Sequence, residues 1–242
     1  MTGELLRSLE RLLLPNSCLV CERLVERDRP DDLLCAVCRW RFRRVGVGCE
    51  RCAHPLPPVG PCRFCSDWPA ALGRTRSAVW LTNEARVTVH ALKYDGYTRA
   101  AEIMAEAVAS HVLHPEVDIL VPVPLGRRRL RSRGYNQAAA LCRALSRAWG
   151  IPMRDGVLER TRETRSQTEL TPEERSENVR AAFQAKPPDE SSGKRAAIVD
   201  DVLTTGATLC AIAETMAGTG WIEVNAITFA RAQTYESKVL LG

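Results

Sequence analysis

The sequence predicts an α/β protein, a parallel sheet flanked by helices and preceded by a small cysteine-rich module. Three observations carry this. From about residue 70 onward, short apolar runs alternate with stretches of helical periodicity, the pattern of parallel strands joined by crossover helices. Ahead of that point, eight of the ten cysteines form four C-x-x-C pairs within the first 65 residues. Composition also changes, as turn-rich sequence such as HPLPPVGPC (54–62) gives way to continuous apolar segments. The expected division is residues 1–73 for an N-terminal helix and a double ribbon, and residues 74–242 for the sheet domain.

Taken in order, ELLRSLERLLL (4–14) sets Leu5, Leu6, Leu9, Leu12 and Leu13 at helical spacing, interrupted by Arg7, Glu10 and Arg11 and ended by Pro15. The pattern predicts a short amphipathic helix docked on the body of the protein, not a signal peptide. No apolar stretch approaches the roughly 20 residues of a membrane span, and the expected location is cytoplasmic. Thiols stay reduced there, so a disulfide framework explains the cysteines poorly. Four thiolates satisfy one tetrahedral structural zinc. Cys18, Cys21, Cys35, Cys38, Cys49, Cys52, Cys62 and Cys65 are therefore candidate ligands of two zinc ions.

Sequential pairing gives C-x2-C-x13-C-x2-C followed by C-x2-C-x9-C-x2-C. It is the expected arrangement, with a cross-braced one, first pair with third, as the alternative. Four complete pairs leave no vacancy for His54. Cys142 and Cys210 fall in helical contexts and read as small buried residues. CRWRFRR (38–44) interleaves Trp40 and Phe42 with four arginines, a composition suited to stacking bases and meeting phosphates of single-stranded DNA. The alternative is that the two rings fill a small ribbon core. The net charge is only +5, and metal-bound thiolates lower it further, so any DNA contact is a local patch.

In the second part, strands are expected at 77–81, 118–123, 157–160, 195–202 and 223–230. Helices are expected at 84–94, 98–113, 134–149 and 206–218, with a polar loop over 161–178 that runs into a helix.

Chemistry concentrates at two strand ends. AAIVDDVLTTGATL (196–209) closes an apolar run with Asp200 and Asp201, then surrounds a glycine with hydroxyls. Adjacent like charges gain nothing in a core. Thr204, Thr205, Gly206, Ala207 and Thr208 would open the next helix with free backbone N–H groups and its partial positive charge, a phosphate cradle. Two carboxylates suit the two hydroxyls of a ribose. VPVPLGRRRLRSRGYNQ (121–137) follows another strand with a turn bearing five arginines between Arg127 and Arg133, whose forks suit a diphosphate. A solvated charge run is the plainer alternative. No G-x-x-x-x-G-K-[ST] occurs.

The segment D-D-V-x-T-T-G-x-T resembles the binding motif of type I phosphoribosyltransferases, whose substrate is phosphoribosyl pyrophosphate bound with Mg²⁺. The resemblance assigns Asp200 and Asp201 to the ribose hydroxyls and residues 204–208 to the 5-phosphate. Pro124, Leu125, Arg127 and Arg128 fall on the pyrophosphate loop. Together with P-V-P-x-x-x-x-R-x-R-x-R-G-Y-N-Q, LKY (92–94), the spacing Arg160, Thr161, Thr164, Gln167, Leu170, Arg175, Asn178, Phe183, and the paired cysteines, the chain resembles the ComF family of competence-associated proteins over nearly its whole length.

That resemblance implies a type I phosphoribosyltransferase-like domain with a zinc-binding module and a role in handling incoming single-stranded DNA. Arg160, Thr164 and Gln167 belong to a loop placed to close over the ligand. Some phosphoribosyltransferases carry a base-serving acid where this chain has Thr204; Glu163 and Glu169 are the substitutes within the loop. Three readings follow: transfer to an unknown acceptor, a ligand sensor that binds nucleic acid, or a scaffold whose ribbons contact DNA-uptake proteins.

Overall fold

The computed structural model describes residues 17–25, 33–57, 59–161, 182–190 and 193–233. The helix expected over 4–14 and all of the 161–178 loop except Thr161 lie outside the described residues. The elements run α1 (Ala36–Trp40), β1 (Leu72–Trp80), α2 (Asn83–Tyr94), α3 (Ala100–His111), β2 (Ile119–Pro122), α4 (Arg127–Arg133), α5 (Gln137–Trp149), β3 (Leu158–Arg160), β4 (Phe183–Ala185), β5 (Arg195–Leu203), α6 (Ala207–Ala217) and β6 (Glu223–Arg231). Among the described residues, no helix is long and apolar enough to cross a membrane.

β1, β6, β5 and β2 form one parallel sheet in that order. Its central segments are apolar on both faces, which a sheet covered on both sides requires. Alternate residues feed two separate cores, following the two-residue period of a strand. Leu120, Ala197, Val199, Ile227 and Phe229 pack with Leu92, Met104, Leu141 and Leu145 of α2, α3 and α5. Ile119, Val121, Ala196, Ile198, Val224 and Ala226 pack with Leu209, Ile212 and Met216 of α6. β3 and β4 pair antiparallel beside this second layer, joined by chain that includes the expected loop.

α1 and β4 are not among the expected elements, and three others differ from expectation. β1 begins at Leu72, not residue 77, although LGRTR is too polar to announce a strand. Its partners make it one: Leu72 pairs with Val224 of β6, and the cysteine-rich segment covers its outer edge. The Val45 amide donates to the Ala78 carbonyl at 3.0 Å, and the Trp80 amide to the Arg43 carbonyl at 2.8 Å. Covering the edge removes a template for unwanted strand pairing. Second, the arginine-rich turn is a short helix, α4, between Gly126 and a left-handed Gly134, with no buried residue. Third, α5 starts at Gln137, because the Asn136 side chain accepts the Ala138 amide at 3.0 Å and caps it there.

The CRWRFRR rings part company. Phe42 is buried edge-on to Phe229 of β6, with centroids 5.4 Å apart, whereas Trp40 is 86% exposed. Arg39 pairs with Glu106 of α3 at 2.6 Å.

Candidate functional site

β2 and β5 are neighbours in the sheet, yet the helices after them enter opposite layers, α5 on one face and α6 on the other. The chain diverges at their carboxyl ends and leaves a crevice, the place where open α/β sheets bind ligands. The segments after β2 and β5, which carry both motifs read from the sequence, flank it.

Asp200 and Asp201 are the antepenultimate pair of β5, and strand alternation gives them different surroundings. Asp201 is buried and forms an ion pair with Lys93 at the end of α2. Its other oxygen accepts from Gln137 Nε2 at 3.4 Å. Gln137 Oε1 accepts in turn from Arg133, whose guanidinium lies 5.4 Å from the centre of the Tyr94 ring. Asp200 keeps partial solvent access. Burial pushes its carboxyl well above the ordinary carboxylate value; Asp201 adds to the rise by its charge, and the Asp201 amide and Lys93 oppose it. The two acids are thus unequal. Asp201 is committed to protein partners, and Asp200 keeps partial solvent access.

Beyond Leu203, residues Thr204, Thr205 and Gly206 form a bend, and the helix starts at Ala207 rather than within the threonines. Gly206 has φ +86°, a left-handed conformation suited to glycine. The first intrahelical bond runs from the Cys210 amide to the Gly206 carbonyl at 2.9 Å, so the Thr208 and Leu209 amides precede the helical ladder. Thr204, Thr205 and Ala207 are exposed. The space over Gly206 is filled by Trp68: a Cβ there would lie 2.6 Å from the indole ring. Gly206 therefore serves close packing.

Across the crevice, Pro124 and Leu125 are half-buried, and Arg127 and Arg128 are exposed on α4. Asn136 Nδ2 donates to the Val123 carbonyl at 2.9 Å and holds the end of β2. Arg127 contacts Glu159 of β3 at 3.3 Å, and the Arg160 guanidinium sits 5.4 Å from the Phe183 ring centre. Arg160 thus marks the end of the β3–β4 ribbon. Thr164 and Gln167, with Glu163 and Glu169, lie outside the described residues.

The cysteines gather sequentially, Cys18, Cys21, Cys35 and Cys38 in one cluster and Cys49, Cys52, Cys62 and Cys65 in the other. Within each, the sulfurs lie within 4.8 Å of one another, with separations of 3.7 Å for Cys21–Cys35, 3.6 Å for Cys49–Cys65 and 3.7 Å for Cys52–Cys62. A tetrahedron built on zinc–sulfur bonds of about 2.3 Å has edges of about 3.8 Å, so both donor sets fit zinc. Burial pushes the Cys18 and Cys49 thiols up, but hydrogen bonds, chiefly from backbone amides, outweigh it and bring each to about 7. Burial and neighbouring sulfurs raise Cys38 and Cys65. A bound cation is what allows all four to ionise together. His54 is not one of the clustered donors; its ring stacks on Phe64 at 5.0 Å, its Nδ1 meets the Pro55 carbonyl at 2.8 Å, and its backbone hydrogen-bonds Cys52. Cys142 is buried in α5 and Cys210 is partly buried in α6.

Sequence reasoning left Lys93 and Gln137 without roles, although LKY and RGYNQ are visible as motifs. It missed Trp68 and Arg231 outright, since their partners are remote in the chain.

A phosphoribosyl transferase domain model matches residues 80–240. A DNA utilization protein of Salmonella typhi, YhgH, is 32% identical over 195 residues, covering 77% of this chain and 85% of that one. Competence protein ComFC of Bacillus subtilis is 27% identical, covering 79% and 85%. Competence protein F of Haemophilus influenzae is 38% identical over 116 residues, covering 48% and 51%. With a parallel sheet flanked by helices, a crevice at its switch point and two four-cysteine clusters near the N-terminus, the chain belongs to the ComF/YhgH family of proteins with a phosphoribosyltransferase domain.

Proposed function

We propose that this chain binds phosphoribosyl pyrophosphate with Mg²⁺ in the crevice between β2 and β5, and that it serves the use or uptake of DNA. The observation that carries the proposal is the half-open carboxylate of Asp200 at the same strand end as the 204–208 bend. One presents acceptors for ribose hydroxyls, and the other presents amides and hydroxyls for the 5-phosphate. Thr204, Thr205, Gly206, Ala207 and Thr208 hold that phosphate. Asp200 accepts from the diol, while Asp201, fixed by Lys93 and Gln137, shapes the floor and sets the charge beneath it.

Pro124 and Leu125 direct the chain toward the diphosphate, and Arg127 and Arg128 meet its charge by bidentate hydrogen bonds. Arg160, Thr164 and Gln167 belong, by the family resemblance, to the loop that would exclude water from the ligand. Mg²⁺ bound with the ligand neutralises diphosphate charge, and the hard oxygen of Asp200 suits it. Zinc fills both cysteine clusters and fixes the fold of the segment that covers β1.

Thr204 supplies no carboxylate to activate a purine acceptor, so ligand binding is the function proposed, and group transfer is its extension. The relatives' names speak of DNA utilization and of competence; single-stranded DNA and DNA-processing proteins are the partners proposed here. Exposed Trp40, with Arg41 and Arg43 beside it, offers a surface for the former.

Calorimetric titration of Mg²⁺ and phosphoribosyl pyrophosphate into the zinc-loaded protein tests the proposal. Saturable heat is expected, with affinity lowered at least tenfold in a folded Asp200→Asn variant. A folded wild type that gives no heat would sink it. Release of pyrophosphate upon adding DNA or a nucleobase would establish transfer.

A further inference from the structure

Resting on the assignment of residues 204–208 as the phosphate loop, we propose that the second four-cysteine cluster is a working part of that site. Trp68, carried by this cluster, is a positioning residue for the loop, and Arg231 ties the cluster to the strands beneath it.

The connection can be followed atom by atom. Arg51 lies inside the Cys49/Cys52 knuckle, and its guanidinium gathers the next segment. It donates to the Cys65 carbonyl at 3.3 Å, to Trp68 at 3.2 Å and to Leu72 at 2.9 Å. That segment holds Trp68 buried, edge-on to Phe64 at 5.6 Å. Trp68 Nε1–H donates to the Thr205 carbonyl at 3.3 Å, across 137 positions in the chain. In a trans peptide the C=O and the following N–H point opposite ways. Anchoring the Thr205 carbonyl on the indole therefore turns the Gly206 amide away from Trp68 and keeps the negative end of that peptide off an arriving phosphate. Gly206 has no side chain to interrupt this contact, and its left-handed φ completes the bend.

A second tie runs under the same loop. Arg231 ends β6 directly opposite Leu203, the last residue before the bend, and the Ala232 amide donates to the Leu203 carbonyl at 2.8 Å. The Arg231 guanidinium is fully buried. It donates to the Cys52 carbonyl, lies 3.9 Å from Cys52 Sγ and stacks 4.0 Å from the centre of the Phe64 ring. Four thiolates on one divalent ion carry a net charge of −2, so a buried cation at this point neutralises half of it.

Among the described residues, the first cluster shows no such link. Its neighbour Phe42 packs on Phe229, and Arg39 pairs with Glu106 of α3. The two clusters thus differ in what they do: the first seats the segment on the sheet, and the second also shapes the loop.

The test compares Trp68→Phe, which keeps a ring and loses the N–H, with Trp68→Ala and with Leu113→Ala, an exposed deletion remote from both clusters. Hydrogen exchange of the 205–209 amides, zinc content, melting temperature and the calorimetric affinity for Mg²⁺ with phosphoribosyl pyrophosphate are read on each. In Trp68→Phe, zinc content and melting are expected to stay as in wild type while loop exchange quickens. Affinity should fall about fivefold, the worth of one hydrogen bond. Trp68→Ala should lose about tenfold or more, and Leu113→Ala should change none of these. The indole N–H resonance that disappears in Trp68→Phe should shift in wild type upon ligand addition.

Wild-type exchange in both folded Trp68 variants would overturn the coupling, whatever the ligand does. Faster exchange at 205–209 with no ligand binding by wild type would uphold the coupling and remove the phosphate assignment. Binding by wild type, unchanged in both Trp68 variants, would keep the assignment and remove the positioning role.

Discussion

At the scale of single residues, the adjacent acids at the end of β5 have different chemistry. Asp201 is buried against Lys93 and Gln137, and Asp200 is left without a cation of its own and with its carboxyl raised well above the usual range. A raised folded-state value means that the neutral form is favoured in the native protein. Its stabilising contribution is full below the unfolded carboxyl value, about 3.9, and is lost as pH rises through the folded value. Asp200→Asn removes that loss, so at neutral pH the ligand-free variant should melt about 2–4 °C higher, the equivalent of roughly 1 kcal/mol. Thermal melts from pH 4 to 8 check this: the gain should shrink toward acid pH, and a variant that melts lower at neutral pH contradicts the unequal-acid picture. A stability gain coupled to a loss of binding is the mark of a group kept for its ligand.

At the scale of elements, side chains next to each other in sequence part by exposure. Phe42 is buried between the cysteine-rich segment and Phe229, and Trp40, two positions earlier, faces solvent. Phe42→Ala should cost about 3 kcal/mol, the typical penalty for emptying a buried aromatic site. Trp40→Ala should stay within about 0.5 kcal/mol. Urea unfolding of both variants decides it, and equal losses would contradict the docking. Much of this scale was legible in the sequence. The apolar runs of β2, β5 and β6 and the helical periods of α2, α3 and α5 announce themselves, because burial of repeated faces is written into composition. The start of β1 was not, since its polar LGRTR becomes a strand only through its pairing with β6 and the cover on its edge. Nor was α4, whose arginines form one exposed helical turn after another between two glycines.

For the whole molecule, the cysteine clusters and the sheet are one construction. The segment between them covers the open edge of β1, and the second cluster reaches the far end of β5 and β6 through Trp68 and Arg231. Metal analysis of the purified protein should give two zinc ions per chain. Stripping both with a chelator should lower the melting temperature by more than about 10 °C, because structural zinc contributes folding energy outright, and should promote association through the uncovered edge of β1. A metal-free protein that melts as the loaded one would contradict a structural role for either cluster.

The sequence by itself determined the class of fold, the two motifs at strand ends and the eight cysteines that gather in two clusters. These rest on short-range patterns: alternation of apolar runs, glycine and threonine at a helix entrance, and pairs of thiols two residues apart. Only the tertiary structure decided which acid is free, which aromatic is buried, and that Trp68 rests on Gly206. Those outcomes depend on groups remote in the chain brought into contact, Trp68 and Thr205 among them at 137 positions apart, and contacts of that range are set by how the layers pack, which no local pattern records.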